Sequence, residues 1–274
     1  GNVEDGFSVK ATGNIDVKGT VERADLDAEG DIIVHQGITG KGSGKLKAGR
    51  SLWARFIENA TIEAGNMVVV SDGIINSHVD ANKRIICKGK RARIVGGHLR
   101  ATEEINAKIL GSPTGGTETI CEVGFDPKIK EQRDKYSVQR DSLTEEMEEI
   151  QLNMQTLLTQ KERYQSLPED KEVYLQELTS AHEDLAEELR RVNEELEKLQ
   201  EFFTTQKNRG KVSASAKAYP GVRISIQDVK EDIRSEYKAA TFVREHGLIR
   251  VIRYEESPED AEALKGDAGG YSAH

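Results

Sequence analysis

A short apolar motif recurs six times in the first 110 residues. Each copy has an apolar residue, any residue, an alanine, and a second apolar residue about four positions later. The six alanines are Ala11, Ala28, Ala48, Ala64, Ala81 and Ala101. Apolar and polar residues alternate within each copy, as they do in β-strands, and glycines interrupt the copies. A repeat of 16–20 residues built from short strands predicts one turn of a parallel β-helix, with the alanines facing inward.

The handedness and the outer surface of this β-helix follow from the same repeat. Left-handed β-helices have a hexapeptide period, which is absent here, and the turn length varies, so we predict a right-handed solenoid. The residue before each alanine is expected to face solvent. These residues are Lys10, Asp27, Lys47, Glu63, Asp80 and Arg100. Their charges mostly alternate in sign, so we expect a ladder of exposed ion pairs, each contributing about a few tenths of a kcal/mol.

The pattern changes to a helical one at Asp126-Pro127, where Asp suits the N-cap and Pro the first helical position. From there to about Asn208 there is no glycine and one interior proline, Pro168, and apolar residues recur in steps of three and four. The seam of the second half is Leu175, Leu178, His182, Leu185, Leu189, Val192, Leu196, Leu199 and Phe203. The first half follows the same steps less regularly, with Arg133, Arg140 and Lys161 at seam positions, and its apolar members are Ile129, Tyr136, Leu143, Met147, Ile150, Met154, Leu157 and Tyr164. With a turn at 166–170, the pattern predicts an antiparallel coiled-coil hairpin about 60 Å long. The hairpin either pairs only with itself or binds a partner or a second copy.

Strand periodicity resumes beyond Gly210 and predicts one or two further rungs of the interrupted solenoid. Residues 241–244 and 248–254, joined at Gly247, are predicted to form a hairpin that covers the open end. The predicted fold is therefore mixed. Its domains are a β-helix at 1–125 and 209–254 with capping strands, a coiled-coil hairpin at 126–208, and a flexible tail at 255–274.

The composition agrees with this layout. Hydrophobic residues make up 36% of the chain, aromatic residues 5% and charged residues 32%, which is poor in core-building side chains for an ordinary globular domain. The net charge of -9 disfavours a general nucleic-acid binder. Cys87 and Cys121 lie outside any C-x-x-C spacing, which favours a reducing compartment. No stretch reaches the length of a membrane span, and the N-terminus has no signal-peptide pattern.

Six cations around one rung form what we call the basic cluster. They are Lys83, Arg84, Lys88, Lys90, Arg91 and Arg93. Such a cluster can contact nucleic-acid phosphates, but no aromatic residue interleaves it to stack bases. An acidic protein partner or a solvated turn is the favoured interpretation. A nucleic-acid-associated regulator remains the alternative function.

Two histidines, His78 and His98, occupy the same position in adjacent rungs. Two stacked histidines can share a metal ion or respond to pH, but two ligands are too few for a metal site, so exposed polar side chains are the favoured interpretation. His182 in the helical seam is expected to be a partly exposed polar residue. We predict no metal site and no cofactor.

Two features of the sequence bear on catalysis. The glycine-rich segment 40–45 lacks the spacing of a phosphate-binding loop and is expected to be an excursion between rungs. A polysaccharide-active β-helix enzyme, the further alternative, needs paired carboxylates. Asp27 and Asp80 share a column but lie three rungs apart, about 14 Å by rung spacing. We therefore predict no enzymatic activity.

The order of these features resembles one known family. A rung of the type Ala28-Glu29-Gly30-Asp31-Ile32, a long coiled-coil hairpin, and a return through Tyr219-Pro220-Gly221-Val222 together look like the bacterial FapA (flagellar assembly protein A) family, over residues 3–254. The resemblance implies a cytoplasmic bacterial protein of flagellar assembly or placement with no established catalysis. We therefore expect a non-enzymatic scaffold in flagellar assembly or polar organisation that binds protein partners and can form homo-oligomers. Family members usually carry a further N-terminal module, so the chain is expected to be a fragment.

Overall fold

The structure, a computed structural model, describes residues 1–205 and 210–256, without the side chains of residues 204 and 205. Two compact units make up the chain. One contains Gly1–Pro127 and Asn208–His274, and the other contains Lys128–Lys207. The flexible tail predicted at 255–274 lies, from residue 257 onward, outside the described residues.

The first unit is built from strands in one continuous sheet. The strands are β1 (Ser8–Ala11), β2 (Ile15–Val17), β3 (Asp25–Ala28), β4 (Ile32–Ala48), β5 (Leu52–Ala64), β6 (Met67–Ala81), β7 (Arg84–Cys87), β8 (Arg93–Ala101), β9 (Glu104–Leu110), β10 (Thr119–Val123), β11 (Lys211–Ala218), β12 (Val222–Ile226), β13 (Val229–Asp232), β14 (Tyr237–Glu245) and β15 (Leu248–Arg253). Most neighbouring pairs are parallel, and together they form a β-solenoid of about six turns.

The six repeat alanines lie in register along one column, as the motif predicts. Ala11 pairs with Ala28, and the column continues through Ala48, Ala64, Ala81 and Ala101. From Ala28 onward these alanines are buried. Two further rungs, at Val123 and Ile226, extend the column without an alanine. Because both are also buried, this end of the solenoid accepts a larger inward side chain.

The alanine column lies at a tight corner. A Cβ atom at Gly49 would come within 2.1 Å of the Glu29 carbonyl oxygen, and one at Gly65 would come within 2.1 Å of the Gly49 oxygen. Successive rungs therefore approach backbone to backbone immediately after Ala48 and Ala64. This close approach explains why the residue before the corner is small.

A second inward column supplies most of the branched side chains of the core. It runs in register from Ile15 through the middle rungs to Ile105 and Val212. Its members are Ile15, Ile32, Leu52, Val68, Ile85, Ile105 and Val212. All are buried, and each such side chain contributes about 1.5–3 kcal/mol when removed from water. Stacking of like residues on successive rungs thus replaces the aromatic core that the composition lacks.

The solenoid continues across the helical insertion. The chain leaves it after β10 and returns as β11, which pairs in parallel with β9 and places Val212 beside Ile105. Buried polar groups join these strands: Ser213 Oγ donates to Glu104 Oε1 at 3.3 Å, and Thr241 Oγ1 donates to Ser213 Oγ at 3.2 Å. The predicted additional rungs are therefore present. The predicted hairpin is the antiparallel pair β14–β15, and β14 in turn pairs antiparallel with β11.

The expected ladder of exposed ion pairs is largely wrong. In the outward column, Arg100 Nε donates to Asp80 Oδ1 at 2.6 Å, and its second nitrogen contacts Oδ2. Within the described chain, Lys10, Asp27, Lys47 and Glu63 form no ion pair with one another. The physical reason is that a solvated Lys or Asp loses side-chain entropy in forming a pair and gains little Coulomb energy in water.

The second unit consists of α1 (Pro127–Tyr164) and α2 (Glu169–Thr205), which we call the helix pair. Acidic Glu169, Asp170 and Glu172 in the first turn of α2 complement the helix dipole. α1 has 8 acidic and 7 basic residues, whereas α2 has 12 acidic and 4 basic residues. Much of the chain's negative charge therefore lies on α2.

Candidate interaction surfaces

The basic cluster carries less free positive charge than its sequence suggests. Arg84 Nε donates to Glu103 Oε2 at 2.8 Å, and Lys88 Nζ lies 3.1 Å from Glu256 Oε1. Lys83, Lys90, Arg91 and Arg93 are exposed. The structure thus neutralises two of the six predicted cations and leaves four at the surface.

Two of these exposed arginines line a groove that sequence reasoning missed. Arg91 and Arg93 face a space of about 410 Å³ with Phe56, Ile75 and Ile109. Its floor is Gly73, which is in register with Phe56 and Arg93. Because these residues come from several different strands and none recurs as a repeat, only the strand register brings them together. An aromatic residue does therefore stand near the basic cluster, contrary to the sequence-based expectation.

The same groove also carries negative charge. Asp72 and Glu58 line it, and Asp72 Oδ2 accepts a hydrogen bond from Arg55 Nε at 2.7 Å. A polyanion such as nucleic acid would meet these carboxylates beside the arginines, which reduces the attraction. The groove is therefore amphipathic and of mixed charge.

The two stacked histidines are neighbours, as the repeat predicts. His78 is in register with His98, and their ring centroids lie 5.3 Å apart at an interplanar angle of 81°. Each ring faces a carboxylate, with Nε2 of His78 3.4 Å from Asp80 Oδ2 and Nε2 of His98 3.4 Å from Glu122 Oε1. Among the described residues, no three His, Cys, Asp or Glu side chains are grouped to hold a metal ion.

The carboxylate in this cluster is held in its charged form. Burial, the largest single effect, acts to raise the pKa of Asp80, but hydrogen bonds from His78 and Arg100 outweigh it and lower the pKa below the ordinary value of 3.8. Arg100 Nη2 also lies 3.4 Å from His78 Nε2. The cluster therefore stabilises neighbouring rungs by charge-assisted contacts.

Neither cysteine is placed to act as a nucleophile. Cys87 and Cys121 are fully buried in the solenoid core. Desolvation raises the pKa of each thiol to about 12. Both remain protonated at neutral pH, so neither supplies the thiolate that nucleophilic catalysis requires.

The predicted seam of the helix pair is its less exposed face. Val192 is 4% exposed, and Leu178 and Phe203 are also buried. The other predicted seam residues of α2, including His182, are half-buried. The guanidinium of Arg133 lies 5.1 Å from the centre of the Phe203 ring. Long cationic side chains therefore cover part of the apolar seam where α1 lacks apolar residues.

In the contacts between α1 and α2, later residues of α1 meet earlier residues of α2. Gln139 Nε2 donates to Glu188 Oε1 at 3.0 Å, and Lys161 Nζ lies 3.3 Å from Glu172 Oε1. Leu157 packs in one cluster with Leu178. Residue numbers thus rise in α1 as they fall in α2. His182 Nε2 lies 3.0 Å from Gln151 Nε2, which makes it a half-buried polar position within this arrangement.

Several apolar residues of the helix pair lie outside the seam and face solvent. Tyr164, at the end of α1, is 69% exposed, and Val173 and Tyr174, in the first turns of α2, are 50% and 46% exposed. We call these three residues the turn-end surface. The heptad spacing predicts Tyr164 in the seam, and its exposure shows that this assignment is wrong, whereas Val173 and Tyr174 lie outside the predicted seam. Val138 and Leu152 are exposed singly elsewhere on α1.

Comparison with known proteins identifies the family. The model of the Flagellar Assembly Protein A beta solenoid domain family, FapA, matches residues 1–249. The chain is also 27% identical over 152 residues to a Nucleoprotein TPR of Drosophila melanogaster, an alignment that spans 54% of this chain and 6% of that protein. No solved structure matches the chain.

Among the described residues, neither α1 nor α2 has a stretch apolar enough to span a bilayer. Because the family match extends over most of the chain and includes both the solenoid and the helices, the protein belongs to the FapA family of flagellar assembly proteins.

Proposed function

We propose that this protein is a non-enzymatic cytoplasmic scaffold for bacterial flagellar assembly or polar organisation. In this proposal, a right-handed β-helix carries α1 and α2 as an antiparallel coiled-coil hairpin. The hairpin binds a protein partner through the turn-end surface of Tyr164, Val173 and Tyr174. Its mechanism is geometric, because a stiff solenoid and a long helix pair fix the place at which the partner is held.

The coiled-coil interpretation is supported by burial at heptad spacing. Leu143 and Leu157 of α1 are buried, as are Leu178 and Val192 of α2, and each lies at a predicted seam position. The pairing of Lys161 with Glu172 and of Gln139 with Glu188 agrees with an antiparallel hairpin.

The observation that carries the proposal is the exposure of the turn-end surface. A hairpin that only paired with itself would need no large apolar side chain outside the seam at its turn. Two tyrosines and a valine nevertheless lie within 11 residues of one another along the chain, around the connection between α1 and α2. Tyrosine is enriched at protein interfaces because it combines a large apolar surface with a polar tip.

Two observations support the absence of catalysis in this proposal: the burial of the cysteines and the separation of the carboxylates. Burial keeps Cys87 and Cys121 protonated. The carboxylates Asp27 and Asp80 lie three rungs apart in one column, which exceeds the separation that glycosidases use.

The experiment is complementation in a flagellated bacterium whose own family member has been deleted. Cells would express the chain unchanged or with Tyr164→Ser, Val173→Ser and Tyr174→Ser combined, and flagella per cell would be counted. We expect the triple variant to restore few or no flagella. The matched control is Val138→Ser with Leu152→Ser, which removes exposed apolar side chains elsewhere on α1 and should complement fully.

Circular dichroism and protein levels in the cell would show that all variants fold and accumulate. The proposal is contradicted if the triple variant restores flagella as well as the unchanged chain does. It is equally contradicted if the control variant fails in the same way, because exposed apolar residues anywhere on α1 would then matter equally.

A further inference from the structure

Four strands of the solenoid unit have one unpaired edge within the described part of the chain: β1, β2, β13 and β15. β2 is only three residues long, and Asp16 is exposed between the buried Ile15 and Val17. The edge of β13 is charged, with Lys230, Glu231 and Asp232 all exposed. β1 is short and exposes Ser8 and Lys10. Charged and short edges of this kind prevent unwanted pairing with another sheet.

β15 is longer and more apolar than these edges, although it also exposes Arg250 and Arg253. Among the described residues it pairs with β14 alone, which leaves its other edge open. Leu248 is 64% exposed, Val251 43% and Ile252 47%. An edge strand of six residues with three exposed apolar side chains is a template for a further strand.

We infer that β15 is an interface through which two copies of this chain associate, by antiparallel pairing of the two β15 strands. A twofold axis perpendicular to the sheet makes such a contact self-complementary, so that each copy uses the same strand. The two sheets then become one continuous sheet across the axis.

The sequence of β15 suits one register of this pairing. If Val251 lies opposite Val251 of the second copy, Arg250 lies opposite Ile252 and Ile249 lies opposite Arg253. No arginine then faces an arginine. A shift of two residues toward Leu248 places Arg250 opposite itself, where like charges repel. A shift toward Arg253 shortens the overlap, so the register centred on Val251 is favoured.

The inferred dimer is weak. The overlap comprises five residues of each β15, which is smaller than the roughly 800 Å² per partner that a stable interface usually buries. Association is therefore expected to depend on protein concentration rather than to be permanent.

Sedimentation velocity of the full chain at concentrations from about 1 to 500 µM tests this inference. The expected result is a weight-average sedimentation coefficient that rises toward the value of a dimer. Val251→Asp and Val251→Lys each place two like charges opposite one another at the axis. Each substitution should therefore raise the dissociation constant at least about tenfold.

Mixing the Val251→Asp and Val251→Lys variants is the decisive experiment. An equimolar mixture places Asp opposite Lys and should dimerise again, whereas neither variant does so alone. The Ile252→Glu variant should dimerise more tightly than the unchanged chain, because the new carboxylate faces Arg250 of the second copy. Loss of folding cannot produce either gain. Glu231→Lys on β13 is the control and should leave association unchanged.

The inference is overturned if the unchanged chain sediments as a monomer at every concentration. It is also overturned if the chain dimerises but the mixture of Val251 variants does not. In that case another surface forms the contact.

Discussion

The tight corner beside the alanine column makes a quantitative prediction at Ala64. Its side chain is 5% exposed and stacks between Ala48 and Ala81. The next residue, Gly65, already approaches the rung below so closely that a Cβ atom would come within 2.1 Å of the Gly49 oxygen. The Ala64→Leu substitution adds three carbons to a site that cannot expand along the solenoid axis.

Overpacking of a well-packed core typically costs 1–3 kcal/mol, and the close backbone contact places this site at about 3 kcal/mol. For a unit of this size, that loss lowers the midpoint of thermal unfolding by about 6–12 °C. The assay is thermal and urea unfolding followed by the fluorescence of Trp53, the single tryptophan, which lies in β5 of the solenoid, so that melting of the helix pair is not mistaken for melting of the solenoid.

The matched control is Glu63→Leu, the same new side chain one residue earlier on the exposed face. It should change the free energy of unfolding by no more than about 0.5 kcal/mol. Equal effects of the two substitutions would refute the reasoning, because the alanine column would then not face a restricted interior.

Three further predictions concern buried chemistry. Asp80→Asn should destabilise the solenoid at pH 7, and the difference from the unchanged chain should shrink as the pH falls below 3.8. The folded-state pKa of Asp80 is lowered, so its contribution to stability is present above the ordinary value of 3.8 and is lost as the pH falls through the folded-state value. Urea unfolding at pH 7 and at successively lower pH measures this difference. Cys87 and Cys121 should not react with a thiol reagent at pH 8 until the chain is denatured, since burial raises both pKa values to about 12, and rapid labelling of the folded chain would contradict that burial. Glu104→Ala should cost about 2 kcal/mol in urea unfolding, because it leaves Ser213 and the half-exposed Lys211 without their carboxylate, and an unchanged midpoint would contradict that role.

The register between successive rungs of the solenoid could be predicted, because alternating apolar and polar residues allow few alignments of one rung with the next. A slip of one residue would turn Leu46 and Ala48 outward and Lys47 inward, so the copies align only one way. The last rungs lacked this signal. Val123 and Ile226 occupy the alanine position without being alanine, and only the pairing of β10 with β12 reveals them.

The surfaces could be predicted less well, because they depend on side chains from different rungs. The groove beside Arg93 combines Phe56 from β5 and Ile109 from β9, which do not pair with each other, and none of these residues repeats in type. The contact of Glu104 with Ser213 spans 109 residues, and no local pattern foretells it. The stacking of His78 on His98 was predictable, because both belong to the repeat.

The heptad pattern also fails to predict the exposed apolar positions of the helix pair. Heptad analysis identifies the residues that two helices bury, such as Leu178 and Val192. The heptad spacing predicts Tyr164 to be a seam residue, yet its side chain is 69% exposed in the structure. The helices end there, so no facing turn covers its ring.

The most direct test of the scaffold proposal removes the helix pair. Residues 128–207 would be replaced by a short Gly-Ser linker, and circular dichroism would first establish that the solenoid remains folded. Flagella would then be counted in cells that lack their own family member and express either this variant or the full chain. The proposal predicts that the full chain restores flagella and the folded solenoid alone does not. Equal restoration by the solenoid alone would contradict it.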